Sequence, residues 1–199
     1  MKFHDYKFLI LSDLYRINAD LRTRTLIKSV IFGNETYQYN FWMRTCAYTR
    51  RHKLLKFFLY PIAKLILNHY VYKYGVSIPY DTNIGSGFYI GHFGTIVVNN
   101  FSKIGTNCNI SQGVTLGMAN RGNNKGYPAI GNNVYLGPGA KIIGAVKIGN
   151  NVAIGANCVV TKDMPDNAVV VGVPGQVISY NGTQAYVDNI DYADKIEPV

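Results

Sequence analysis

Aliphatic residues recur every six positions through the middle of the chain, and this is the dominant pattern in the sequence. The positions are Ile78, Ile84, Ile90, Ile96, Ile104, Ile110, Leu116, Ile130, Leu136, Ile142, Ile148, Ile154 and Val160. Glycine follows many of them, and glycine and asparagine favour tight corners. An amphipathic helix repeats about every 3.6 residues and a half-buried strand every two. A period of six instead predicts a parallel β-helix, whose short strands stack in triangular coils.

Two breaks in this period predict insertions. The step from Ile96 to Ile104 is eight residues, which places two extra residues around 99–103. The step from Leu116 to Ile130 is fourteen residues, so residues 117–129 should protrude as a flexible, basic loop. Because insertions in a solenoid often form its binding face, we expect this loop to contact a ligand or a neighbouring subunit.

A helical region precedes the predicted coil. Apolar residues at spacings of three and four predict helix within residues 1–32, with Ser12 or Asp13 as a candidate N-cap. Residues 37–52 and 54–72 are rich in aromatic and apolar side chains and predict further helices. We therefore expect a basic α-helical region at 1–75, a β-helix domain at 76–178 and a C-terminal tail at 179–199. The tail is either a strap across a neighbouring subunit or disordered.

The charge of the protein is concentrated in the helical region. Of the 199 residues, the first 75 hold thirteen Lys or Arg and four Asp or Glu, while the remainder holds seven of each. The neutral coil argues against a nucleic-acid partner. Two interpretations of residues 54–72 stay open: a helix packed on the β-helix or a partner subunit, or an interfacial helix that contacts an anionic membrane through residues 50–73. Lys56, Pro61 and Lys64 disfavour a helix that spans the membrane.

The remaining composition limits the chemistry. Cys108 and Cys158 fall on inward repeat positions, which favours a packing role over a chemical one. The first residues show no signal-peptide pattern. We therefore expect a cytoplasmic protein, with a peripheral position on the inner face of the plasma membrane as the extension of the membrane hypothesis. His92 is the only histidine of the coil. A zinc site needs several such ligands, so we expect no metal and interpret His92 as a general base, against the alternative of an ordinary surface residue.

The chain resembles the left-handed β-helix acyltransferases, and most closely their serine O-acetyltransferase branch, in three segments. These are GFYIGHFG at 87–94, NISQGVTLG at 109–117 and VGVP at 171–174. The resemblance covers about residues 75–178. It implies a left-handed coil, a homotrimer with active sites between subunits, and acetyl-CoA as the co-substrate.

The same resemblance implies roles for individual residues. His92 matches the catalytic histidine of the family, and the backbone amides of Gly117 and Met118 are expected to stabilise the oxyanion. The pantetheine arm of CoA is expected along the corners Gly137-Pro138 and Gly155-Ala156. Lys162, with the basic loop residues, is expected near the CoA phosphates.

Several charged residues of serine acetyltransferases are replaced by neutral ones. The family's aspartates fifteen residues and one residue before the histidine are Ser77 and Gly91 here, its glutamate is Asn100, and its loop histidine is Tyr127. We expect Ser77, Asn100, Tyr127 and the loop residue Arg121 to contact the acceptor.

The neutral residues at these positions and the basic α-helical region at 1–75 favour a carbohydrate acceptor. In the segments FWMR at 41–44, YPIA at 60–63 and GHFG at 91–94, the chain also resembles the O-acetyltransferases of capsule or exopolysaccharide synthesis, and this resemblance implies that activity. The alternatives are a serine O-acetyltransferase of cysteine biosynthesis and a non-catalytic trimeric scaffold.

Overall fold

Helices form the N-terminal part of the chain in the computed structural model, which describes residues 1–33 and 35–196. The described helices are α1 (Phe3–Asn18), α2 (Thr23–Ile31), α3 (Glu35–Arg50) and α4 (Leu55–Tyr74). Ala19 adopts a left-handed conformation with φ of 50° and ends α1, so the predicted helical stretch 1–32 is divided into two helices.

Short strands follow α4 directly. The described strands are β1 (Val76–Ser77), β2 (Asn83–Ile84), β3 (Tyr89–Ile90), β4 (Ile96–Val98), β5 (Lys103–Ile104), β6 (Asn109–Ile110), β7 (Thr115–Gly117), β8 (Ala129–Ile130), β9 (Tyr135–Leu136), β10 (Lys141–Ile143), β11 (Lys147–Ile148), β12 (Ala153–Ile154), β13 (Val159–Val160), β14 (Val169–Val171) and β15 (Gln176–Ser179). They form sheet 1 (β1-β4-β7-β10-β13), sheet 2 (β2-β5-β8-β11) and sheet 3 (β3-β6-β9-β12-β14-β15). Every pairing is parallel except that of β14 with β15. The predicted parallel β-helix behind a small helical region is confirmed.

The core of the coil is a stack of aliphatic side chains. All thirteen residues of the six-residue repeat are buried. In sheet 2, Ile84, Ile104, Ile130 and Ile148 lie one above the other in register. Each coil thus places its apolar side chains on those of the next coil, and burial of this continuous ladder stabilises the stack.

The observed strand pairing places the first insertion at a different point of the chain from the predicted one. Ile90 pairs with Ile110, and Val98, not Ile96, pairs with Leu116. The eight-residue step therefore lies between Ile90 and Val98, and the prediction of extra residues at 99–103 was wrong. Because Ile96 and Val98 are both buried on one strand, the period alone assigns the ladder position to either of them.

A buried ion pair joins the helices to the first coil. Arg44 on α3 donates from Nε to Asp13 Oδ2 over 3.0 Å, and from Nη1 to the carbonyl of Ile84 over 2.8 Å. Asp13 on α1 also accepts from the backbone amide of Phe88 over 2.8 Å, and Ser12 Oγ accepts from that of Gly87. Ser12 and Asp13 therefore lie inside α1 and bind the coil, so their prediction as N-caps was wrong.

The C-terminal segment folds back over its own chain. Thr183 Oγ1 donates to Asn151, the carbonyl of Tyr186 accepts from Asn109, and Tyr192 OH donates to Asn107 over 2.6 Å. Residues 183–192 thus run back along the coil towards α1. Within the described part, up to Ile196, the tail is an ordered strap on its own subunit, and neither predicted alternative holds there.

Candidate active site

His92 lies at a corner of the coil that two extra residues enlarge. The corner joins β3 of sheet 3 to β4 of sheet 1. Gly91 N donates to the carbonyl of Ile110, and Gly113 N donates to that of Gly94 over 2.9 Å. In the next coil Ser111 and Gln112 take the positions of Gly91 and Gly94 and are adjacent. The inserted residues are therefore His92 and Phe93, and the insertion carries the imidazole out of the apolar ladder into an exposed position.

The corners between sheet 3 and sheet 1 form one edge of the coil, which we call the histidine edge (residues 91–95, 111–114, 137–140 and 155–158). Gly139 N donates to Gln112 O and Asn157 N to Pro138 O, each over 2.8 Å, so these corners stack closely. Of the residues predicted to contact the cofactor, Gly137 and Pro138 lie two coils from His92, and Gly155 and Ala156 lie three coils away. The structure therefore brings His92 and these four residues to one edge.

Glycine is also required at position 137 by the close approach of the next coil. A Cβ at this position would lie 2.7 Å from the carbonyl oxygen of Ile154. Gly137 itself is buried, whereas Pro138 is half-buried and Ala156 is exposed. Direct contact with a bound molecule along this edge is therefore expected from Pro138 and Ala156, with Gly137 and Gly155 keeping the coils close together.

All the other predicted site residues except Ser77 lie on a different edge, between sheets 1 and 2, which we call the loop edge (residues 99–102, 117–129, 144–146 and 161–163). Gly117, Met118, Arg121 and Tyr127 belong to its long loop, and Asn100 and Lys162 to corners of other coils. The ring of Tyr127 lies 4.9 Å from that of Phe101, beside Asn100. Ser77 is exposed on β1 in sheet 1, opposite Val97. A single chain thus brings together two groups of residues, one on each edge.

The long loop is a short hairpin packed on the coil. Ala119 and Gly126 form an antiparallel bridge with hydrogen bonds of 3.1 and 3.0 Å. The carbonyl of Asn124 accepts from Ala145 N, and its side-chain amide donates to Thr161 O. These contacts fix the base and one side of the loop on the coil. Arg121 remains exposed at its tip.

No described residue forms a hydrogen bond with the imidazole of His92. Ser77 makes no such contact in the single chain, and the aromatic contact of this corner is between Phe93 and Tyr74, whose ring centroids lie 5.4 Å apart. A partner for His92 would therefore come from a bound molecule or a second subunit.

Gln112 was missed by the sequence reasoning. Its side-chain oxygen Oε1 is buried and has no hydrogen-bond partner among the described residues. It lies one coil from His92 on the histidine edge, and buried polar atoms normally have a partner. The available signal was a polar residue directly before a corner glycine, in Gln112-Gly113.

The cysteines are poor candidates for chemistry. All three are free and buried. Burial raises the pKa of Cys46 and of Cys108 to about 12, and it raises the pKa of Cys158 as well. Since the thiolate is the nucleophilic form, these residues serve packing, as predicted for Cys108 and Cys158.

Comparison with known proteins assigns the class of this coil. Residues 127–162 match the family model described as bacterial transferase hexapeptide (six repeats). The fold and this match place the coil among the hexapeptide-repeat transferases. A serine acetyltransferase from Bacillus pumilus is 35% identical over 148 residues, which cover 74% of this chain and 68% of that protein. The chain belongs to the hexapeptide-repeat serine acetyltransferase family.

Further relatives give the same family. A serine acetyltransferase from Synechococcus elongatus is 41% identical over 119 residues, and the match spans 60% of this chain but only about half, 48%, of that protein. The crystal structure of serine acetyltransferase from Brucella abortus has a TM-score of 0.67 at 27% identity, covering 90% of this chain and 70% of that one. Its complex with coenzyme A has a TM-score of 0.68 at 26% identity, covering 90% and 68%.

These comparisons confirm the predicted resemblance to the serine acetyltransferase branch. They favour the predicted alternative over the main prediction for the acceptor, because the relatives named above are serine acetyltransferases and not capsular or exopolysaccharide O-acetyltransferases.

Proposed function

We propose that the protein transfers the acetyl group of acetyl-CoA to a hydroxyl group, with His92 as the general base. The observation that carries this proposal is the two-residue insertion that places His92, exposed, on the same edge as Pro138 and Ala156. The imidazole takes the proton of the acceptor hydroxyl as its oxygen attacks the thioester carbonyl carbon. When the carbon–sulfur bond breaks, the imidazolium returns that proton to the leaving thiolate.

The oxyanion of this reaction needs hydrogen-bond donors that His92 cannot supply. We propose that the backbone amides of Gly117 and Met118 provide them, as the family resemblance implies. Because these residues lie on the loop edge, they would come from a neighbouring subunit of a homotrimer, whose loop edge faces the histidine edge.

The acceptor we propose is L-serine, because the relatives of this chain are named serine acetyltransferases. One observation favours a second candidate, a sugar hydroxyl. The positions that carry charge in the family are Ser77, Gly91, Asn100 and Tyr127 here, and the ring pair of Phe101 and Tyr127 offers an exposed surface for stacking, with Phe101 62% exposed.

The test follows the release of free CoA with a thiol reagent. We expect L-serine to accelerate release, and His92→Ala to lower kcat by about 10²–10⁴-fold, the usual contribution of a positioned base. His69→Ala changes an exposed histidine on α4 that belongs to neither edge, so it is the matched control and should keep wild-type activity.

The acceptor is tested in the same assay with a panel of oligosaccharides and nucleotide sugars. Release with a sugar but not with L-serine would contradict the serine acceptor and leave the acetyltransferase proposal standing. Release that no acceptor accelerates, or that His92→Ala leaves unchanged, would contradict the enzyme and favour the scaffold.

A further inference from the structure

The outward face of α4 is apolar and uncovered in the single chain. Ala63, Leu67 and Tyr74 on the inner face are buried in the core. On the opposite face, and at Leu54 directly before the helix, large apolar side chains are exposed by 55–87%: Leu54, Phe57, Phe58, Ile62, Leu65 and Tyr72. We call these six residues the apolar stripe. A contiguous apolar surface of this kind marks a site of contact with another phase or molecule.

Positive charge surrounds the apolar stripe. Residues 36–80 contain seven Lys or Arg and no Asp or Glu. Six of the seven flank the stripe, and none of these six forms an ion pair with a described residue: Arg50, Arg51, Lys53, Lys56, Lys64 and Lys73. Several lie over aromatic rings, as Lys64 does at 5.0 Å from the ring of Tyr80. The cations therefore stay available to an external anion.

The two candidate occupants of this face are a second copy of the chain and an anionic bilayer, and they differ in charge. A second copy that met this face through a two-fold contact would bring the same cations against these, which disfavours contact of stripe with stripe. An anionic bilayer offers negative headgroups for the cations and hydrocarbon for Phe58 and Leu65. The helix would lie in the interface and not cross it, since no described helix is long and apolar enough to span a membrane.

We propose that the apolar stripe of α4 docks the protein on an anionic phospholipid surface. The phenyl and aliphatic side chains enter the headgroup boundary, and the flanking Lys and Arg contact the phosphates. This places the candidate active site at the membrane surface. The inference does not depend on the identity of the acceptor.

The experiment is co-sedimentation of the full chain with vesicles. We expect binding to phosphatidylcholine vesicles that contain phosphatidylglycerol, and none to phosphatidylcholine alone. Raising the salt concentration should weaken binding by tenfold or more, because exposed charges are screened. We expect two double variants of α4 to weaken vesicle binding by about tenfold or more. Lys53→Gln/Lys56→Gln removes two cations, each of which contributes about fivefold near such a surface. Phe58→Ser/Leu65→Ser removes apolar side chains that would enter the headgroup boundary.

Matched controls carry the same chemical changes away from α4. Ile178→Ser/Ile190→Ser and Lys103→Gln/Lys147→Gln alter exposed residues and should bind like the wild type. Circular dichroism of every variant checks that it is folded. Equal binding to neutral vesicles, no binding, or full binding by both α4 variants would overturn the proposal. So would a smaller assembly of Phe58→Ser/Leu65→Ser in sedimentation without vesicles, because it would assign the stripe to a second copy.

Discussion

The residue directly before His92, Gly91, lies at a corner of the coil that has free space around it. Gly91 takes the same place in its coil as Gly137 and Gly155 do in theirs, but Gly91 is less crowded. A Cβ on Gly91 would have its nearest contact at 3.7 Å, on the ring of Tyr89, whereas one on Gly137 would lie 2.7 Å from a carbonyl oxygen. Position 91 therefore has room for a side chain beside the base.

Gly91→Asp should raise kcat/KM for L-serine by about tenfold or more. The new carboxylate would lie beside the reacting hydroxyl and accept charge-assisted hydrogen bonds from the ammonium group of serine. Steady-state kinetics with L-serine measure the effect, and Gly91→Asn is the control that adds the same volume without charge. An equal rise in both variants, or no rise in Gly91→Asp, would contradict a role for charge at this position.

At the scale of elements, the coils approach each other closely at the corners between sheets 2 and 3. A Cβ on Gly105 would lie 2.4 Å from the carbonyl oxygen of Gly131, and one on Gly131 would lie 2.6 Å from that of Gly149. These contacts are with backbone, which cannot rotate away. The glycines of the repeat thus set the spacing of the stack.

Gly105→Ala should lower the free energy of unfolding by about 1–3 kcal/mol, because the added methyl group forces two coils apart. Urea titration followed by circular dichroism measures the loss. Gly91→Ala is the matched control: it is also a corner glycine, but its site has room, and we expect a change within about 0.5 kcal/mol. Similar losses in both variants would show that the crowding at Gly105 is not the cause.

The elements also show what the sequence can predict. The period of six predicted the three-sheet coil because each coil repeats the same local requirement, an inward aliphatic residue and a corner. The insertion at His92 was misplaced because Ile96 and Val98 both point inward on β4. Ser12 and Asp13 resembled helix caps, but their partners Gly87 and Phe88 are 75 residues away in sequence. No local pattern reports such partners.

At the scale of the whole molecule, the candidate site is divided between two edges of the coil. His92, Pro138 and Ala156 lie on the histidine edge, while Met118 and Tyr127 lie on the loop edge. The sequence named both groups through the family resemblance, but it could not show that one chain keeps them on different edges. In a symmetric trimer, each subunit would offer its histidine edge to one neighbour and its loop edge to the other.

Mixed oligomers test this division. One partner carries His92→Ala; the other has residues 120–125 replaced by Asn-Gly, a two-residue turn that the bridge between Ala119 and Gly126 can close. Each variant alone should be inactive in CoA release. The first lacks its base, and the second lacks Arg121 and the contacts of Asn124 with Ala145 and Thr161 that hold the loop after Gly117 and Met118 on the coil. After equal co-expression, about one quarter of the sites would combine an intact histidine edge with an intact loop edge, so about a quarter of wild-type activity should return.

The control for the mixed oligomers is to combine the two purified variants without dissociating them, which should restore no activity. Light scattering checks that the wild type and both variants are trimers. If each site lay within one subunit, every co-expressed oligomer would be inactive, because each subunit would lack either its base or its loop. Recovery therefore distinguishes a site shared between subunits from one built within a single chain.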